Sequence, residues 1–277
     1  MAYSGGFLPA LKLAKASGTK LFCGYCGTET AAIGGKGICS NCEMPLEQDR
    51  ATFSERNAEL FQAIASIKSA VEKGDFDGAA KMYGDAFAKY HDPGLLYAES
   101  LVRIKQSNAA IAQIRYDRKG FMEENTAHRN EGAQRVSDAK LLLTKAISVC
   151  NSAAGTIPAN GNAFLLFLCY SRMDMQRAAK NAIGIIEKSG NTYLGAYARM
   201  AHDAAIRDYA ALEKDSETML SRERFSVNAL FYAALAKLKR GDEEGAKRIA
   251  KEARKVVKIE SLESLQKDIE RFGKSLM

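Results

Sequence analysis

Gly241-Asp242-Glu243-Glu244-Gly245-Ala246 stands near the end of the chain, and Gly74-Asp75-Phe76-Asp77-Gly78-Ala79 repeats its pattern early on. Each stretch lies between two segments with helical spacing of apolar residues. The glycine ends one helix, because it alone adopts a left-handed backbone without steric cost. The aspartate opens the next, because its carboxylate accepts from the first free N–H groups. Small residues then recur at helical spacing. This is the inner turn of a helical hairpin, and it occurs more than once.

Working outward from the first copy, Thr52-Phe53-Ser54-Glu55 reads as a capping box, which predicts a helix start there. The helix is expected over Asn57–Lys73, with Leu60, Phe61, Ile64, Ile67 and Val71 on its apolar face. A second carries Phe76, Ala79, Ala80, Tyr83, Ala86 and Phe87, and His91-Asp92-Pro93-Gly94 stops it. Later, Ala178, Leu212 and Ala246 lie 34 residues apart, each opening the packed face of a second helix. Tyr209 precedes Leu212 as Phe76 precedes Ala79. Ala86 and Ala253 each follow the matching alanine by seven positions.

A period of 34 residues is the tetratricopeptide length, and these phrases resemble tetratricopeptide (TPR) repeats. The better copies fall at about 60–93 and 227–260. In the copies at 159–192 and 193–226, Met173 and Arg207 stand at the turn glycine, and the Trp-x-x-Leu-Gly signature is missing throughout. The resemblance implies an α-solenoid of hairpins over residues 52–277, each burying its neighbour's apolar face. Its concave face is then lined by Phe164, Phe167, Tyr170, Tyr197, Phe231 and Leu235, which suits an apolar or amphipathic segment of a protein partner. The competing reading packs these aromatics between repeats.

Residues 1–50 are of another kind. Four of the six cysteines crowd into Phe22-Cys23-Gly24-Tyr25-Cys26-Gly27 and Gly37-Ile38-Cys39-Ser40-Asn41-Cys42. Two CxxC pairs twelve residues apart supply four soft donors in tight turns, which is what a tetrahedral zinc ion needs. A dithiol redox motif opens a helix within a βαβ unit, whereas Gly27 and a glycine-rich stretch follow here. The run Lys20–Leu46 resembles a zinc ribbon of the rubredoxin-knuckle type. It departs from that pattern at Glu43, where the second knuckle usually has Gly. Cys23, Cys26, Cys39 and Cys42 are thus expected to hold one structural Zn²⁺ per chain. Four thiolates leave no position for water, which argues against catalytic zinc.

The chain has 277 residues, 47% of them apolar, no Trp, 4 Pro and a formal charge of +7. Its abundance of Ala, Lys, Leu and Glu favours helices, so the fold class expected is mainly α with a small N-terminal β zinc ribbon. No apolar run reaches the ~20 residues that span a bilayer, and no signal peptide is read; a cytoplasmic protein is expected. Lys12, Lys15, Lys20 and Lys36 beside Phe22 and Tyr25 make the ribbon basic and aromatic. Lys247, Lys251, Arg254, Lys255 and Lys258 fall on one helical stripe. An acidic protein or nucleic acid is the partner this charge suggests.

Between the repeats, residues 107–135 turn polar. They read as exposed helices jointed at Gly120 or Gly132, or as an inserted contact surface, with helix resuming near Val136 and a loop over 151–162. Ser261–Met277 has the apolar spacing of an amphipathic capping helix. Cys150 and Cys169 read as buried small apolar residues. His91, His128 and His202 are scattered, and no phosphate loop or nucleophile elbow is present. A non-catalytic adaptor is the expected function, with a nucleic-acid-associated factor as the alternative.

Overall fold

The computed structural model describes residues 13–14, 20–31, 37–39, 41–46, 48–114, 122–152, 159–222, 227–256 and 258–259. These are mainly helical, with short antiparallel strand pairs. They form two compact units. One holds the described residues of Arg50–Ile157 together with Cys23–Gly27, and the other those of Met1–Phe22, Thr28–Asp49 and Pro158–Met277. This division differs from a single boundary at residues 50–52. The helical region is itself parted after Ile157, and the first cysteine turn goes with its earlier part.

The unit containing Arg50–Ile157 has α1 (Arg50–Arg56), α2 (Ala58–Glu72), α3 (Phe76–Tyr90), α4 (Pro93–Ala112) and α5 (Met122–Ser152). The expected capping box lies inside α1, so Thr52 does not stand at a helix start, and Asn57 precedes α2 instead. The α2–α3 turn follows the expectation. Gly74 has φ +79°, and the Asp75 carboxylate accepts from the Gly78 N–H at 2.9 Å. Ile64, Ile67 and Ala70 of α2 and Ala79, Ala80, Tyr83 and Ala86 of α3 are buried.

His91 ends α3 in the left-handed region, Asp92 caps α4 through the Gly94 N–H at 2.8 Å, and Pro93 fills the first turn, where its missing N–H costs nothing. Every residue from Pro93 to Val102 is buried. A helix buried on all sides belongs in the middle of its unit, and α4 packs on both α3 and α5.

The polar segment is more helical than the sequence suggested. Helix α5 begins by Met122 and runs unbroken through Gly132. Gly132 is not a joint but a close approach. A Cβ there would lie 2.9 Å from Ile111 Cγ1, and the Ser107 hydroxyl donates to the Gly132 carbonyl at 2.8 Å. Gly120 lies outside the described residues. Arg103 and Arg135 pair with Asp77 at 2.6 and 3.5 Å, so part of the polarity serves contacts within the unit.

The second unit carries α6 (Ala159–Arg172), α7 (Gln176–Lys188), α8 (Thr192–Ile206), α9 (Tyr209–Arg222), α10 (Val227–Lys239) and α11 (Glu243–Val256). Each helix packs on the next, and α8 also packs on α6 and α10. Ala179, Ala198, Ala233 and Ala236 are fully buried; with only a methyl group each, they let neighbouring helices approach closely.

The turn residues correct the proposed register. Asp174, Arg207 and Gly241 have φ of +58°, +63° and +85°. The turn residue of the α6–α7 hairpin is therefore Asp174 rather than Met173. The buried counterpart of Leu212 is Ala179 rather than Ala178. Asp174 to Arg207 is 33 residues and Arg207 to Gly241 is 34, so the exact period holds for one step only. Asp208 and Asp242 cap α9 and α11, accepting from Ala211 and Gly245 N–H groups at 3.0 and 2.8 Å.

The same unit holds the strands. These are β1 (Leu13–Ala14) with β6 (Lys258–Ile259), β2 (Lys20–Phe22) with β3 (Glu29–Ala31), and β4 (Gly37–Ile38) with β5 (Pro45–Leu46), all antiparallel. Lys258 is thus on a strand and not on the helical stripe proposed for it. The expected capping helix, Ser261–Met277, lies outside the described residues.

Candidate metal centre

The two CxxC segments fold into the same local shape. In the first, the Gly27 N–H donates to the Cys23 carbonyl at 2.9 Å, and Gly27 has φ +70°. In the second, the Glu43 N–H donates to the Cys39 carbonyl at 2.9 Å, and Glu43 has φ +61°. The Asn41 N–H lies 3.4 Å from Cys39 Sγ, the kind of contact that steadies a thiolate. Strand β2 delivers Cys23, β4 delivers Cys39, and the Cys39 N–H is held by the Met44 carbonyl at 2.8 Å. Leu21, Phe22, Ile38, Met44 and Leu46 are buried beside them in the sequence.

The four sulfurs of Cys23, Cys26, Cys39 and Cys42 all lie within 4.8 Å of one another. A tetrahedral ion with metal–sulfur bonds of about 2.3 Å places its ligands roughly 3.8 Å apart, so the quartet fits one metal ion with little movement. Cys23, Cys39 and Cys42 are buried, and Cys26 is partly exposed. Among the described residues this is the group of His, Cys, Asp and Glu side chains that converges on a point. The first CxxC leads into a turn and then β3, not into a helix, which removes the structural context of a dithiol redox motif.

Glu43 carries the left-handed angle of the second knuckle. A side chain in that conformation costs about 1 kcal/mol. Its carboxylate pairs with Arg172 of α6 at 2.9 Å, and both side chains are largely buried, at 9% exposed for Arg172 and 17% for Glu43. Glu43→Gly relieves the backbone but strands the guanidinium. The net loss expected is about 2 kcal/mol, since removing one partner of a buried pair outweighs the relief. Adding Arg172→Met should recover most of it, as thermal melts of the metal-loaded protein will read.

The ribbon's aromatics are engaged internally. Phe22 is 7% exposed. Tyr25 donates to Asp92 at 3.1 Å, and its ring lies where a Cβ on Gly94 would be, 2.3 Å from Cε1. Neither ring is set out as a platform for bases. Tyr25, Tyr83, Gly94 and Arg172 were not singled out as site residues from the sequence. The one local signal was Tyr25, which lies between Cys23 and Cys26 in the chain.

The proposed groove residues separate into two groups. Phe164, Phe167 and Tyr197 are 0%, 1% and 1% exposed, and stack with centroids 5.9 Å (Phe164–Phe167) and 6.0 Å (Phe164–Tyr197) apart. They are core, a correction to their placement on an open surface. Tyr170, Phe231 and Leu235 are half-buried. Lys247 and Lys251 are exposed, Lys247 pairing with Glu244 at 2.7 Å; the side chains of Arg254, Lys255 and Lys258 lie outside those described.

Burial raises the Cys150 thiol to about 11, so it stays protonated at neutral pH and unreactive. Cys169 is likewise buried. His202 is buried on α8, with its pKa lowered by burial and by Lys180, while Asp203 beside it is raised to about 6 by burial and by Asp215 and Asp208. No described helix is long and apolar enough to cross a membrane. Comparison with protein-family models, with curated proteins and with solved structures gave no match.

Proposed function

We propose that the chain is a non-catalytic adaptor, a structural zinc ribbon joined to TPR-like hairpins that present a protein-binding face. The observation that carries this reading is the closed sulfur quartet. Four thiolates around one ion satisfy its coordination, and such an ion folds a small segment rather than activating water. Zinc is the metal the all-thiolate tetrahedron favours. The serial packing of α6 to α11 supports the solenoid part, because each hairpin covers its neighbour's apolar side.

Phe231 and Leu235 stand four residues apart on one side of α10, half-buried, and Tyr170 is half-buried on α6. An amphipathic helix or an apolar extended segment is the partner that such side chains fit. In a panel of immobilised amphipathic peptides, the zinc-loaded protein should retain a subset. Phe231→Ser with Leu235→Ser should lose that subset at least about tenfold while keeping its helical circular dichroism. Retention on heparin or RNA at moderate salt, with no peptide retained, would favour the nucleic-acid alternative instead.

A further inference from the structure

The five-residue turn Cys23–Gly27 touches four helices of its unit. A Cβ on Gly24 would lie 2.4 Å from the Phe53 ring of α1, and one on Gly27 3.3 Å from Ile64 and 3.2 Å from Lys68 of α2. Tyr83 of α3, 2% exposed, donates its hydroxyl to the Tyr25 carbonyl at 2.6 Å. The Tyr25 hydroxyl donates to Asp92, the cap of α4, and its ring covers Gly94 in the first turn of that helix. A free CxxC segment has no such shape of its own, because a loop this short is ordered only by what it touches or binds.

We infer that metal loading and the docking of α3 and α4 are linked through Tyr25. The inference rests on the metal reading above. Metal at Cys23 and Cys26 holds the turn in the conformation that Tyr83, Asp92 and Gly94 receive, and those residues in turn hold the two sulfurs ready for metal. Linkage of this kind is reciprocal: whatever metal does for the helices, the helices must do for metal affinity. The device would let the first helices of the chain respond to metal supply or to loss of a thiolate.

The test uses the full chain. Zinc affinity is measured by competition with a chromogenic chelator, and amide exchange by mass spectrometry. Tyr83→Phe removes one hydroxyl 58 positions from Tyr25, and should weaken zinc about fivefold to tenfold, the worth of one hydrogen bond. Removing zinc from the unaltered protein should speed exchange over Gly94–Tyr97 about tenfold or more. Leu143→Ala on α5, a core change in the same unit on a helix other than the four named above, should leave zinc affinity unchanged.

Wild-type zinc affinity in Tyr83→Phe and in Tyr25→Ala, or unchanged α4 exchange after zinc removal, overturns the linkage and leaves the four-thiolate site standing. An equal loss of affinity in Leu143→Ala also overturns it, because the effect would then be general destabilisation. Absence of zinc binding by the unaltered chain removes the metal reading, and this inference with it.

Discussion

Cys39→Ser is expected to bring bound zinc well below one ion per chain and to unfold the ribbon strands, leaving the helices α6–α11 in place. A serine hydroxyl does not ionise near neutral pH and is a harder donor than a thiolate, so three cysteines cannot hold the ion as four do. Binding a structural zinc of this class is worth on the order of 10 kcal/mol, and in a segment without a preformed site that energy is folding energy. The strands β2–β5 are two or three residues each. Hairpins so short are not stable alone, and Leu21, Phe22, Ile38, Met44 and Leu46 are few residues for a core. Zinc content and the thiolate absorption of a cobalt-substituted sample report the site, and amide exchange reports the strands. Cys169→Ala is the control. Cys169 is buried and outside the sulfur quartet, so this variant should keep its zinc. One tightly held ion in Cys39→Ser would show that the quartet is not a single site.

What could be read in advance follows from how local each signal is. Two CxxC pairs announce a cluster of sulfurs because the cysteines of each pair are three positions apart in the turn of one short hairpin. The Gly-Asp turns at Gly74 and Gly241 announce helix ends because the glycine conformation and the aspartate cap are properties of adjacent residues. The same rule misplaced the α6–α7 turn. Asp174 takes the left-handed angle without being glycine, and a strict 34-residue step chose Met173 and Ala178 instead. Asn and Asp adopt that region more readily than most residues, which is the one hint the sequence held.

Long-range contacts were the other limit. Gly132 read as a joint because a glycine in a polar stretch, with no visible partner, looks like freedom; its partners Ile111 and Ser107 lie on another helix. Helix α5 was shortened for the same reason, since a helix packed along one side and solvated on the other carries a weak pattern in its polar half. Glu43 in a glycine position makes sense only with Arg172, 129 residues away. Tyr25, within the first CxxC, reads locally as an aromatic of the ribbon, but the glycine that receives its ring reads as the end of a helix and not as a seat.

Phe167 carries the second large effect, and it divides two uses of an aromatic on α6. Phe167→Ser is expected to destabilise its unit by about 3–5 kcal/mol. The ring is 1% exposed and packs beside Phe164, which packs on Tyr197, so its removal opens a cavity and leaves a hydroxyl where there was hydrocarbon. Phe231→Ser should cost about 1 kcal/mol, because that ring is only partly buried and leans edge-on against Tyr232 at 5.5 Å. Denaturant unfolding of the zinc-loaded protein measures both, with the midpoint shift read at constant slope. Peptide retention is then compared per folded molecule. If Phe231→Ser loses retention at nearly full stability, while Phe167→Ser loses it only in proportion to unfolded protein, the binding face runs over α10 and the buried rings of α6 and α8 serve to hold that face rigid. If Phe167→Ser melts like the unaltered chain, the ring is not part of the core.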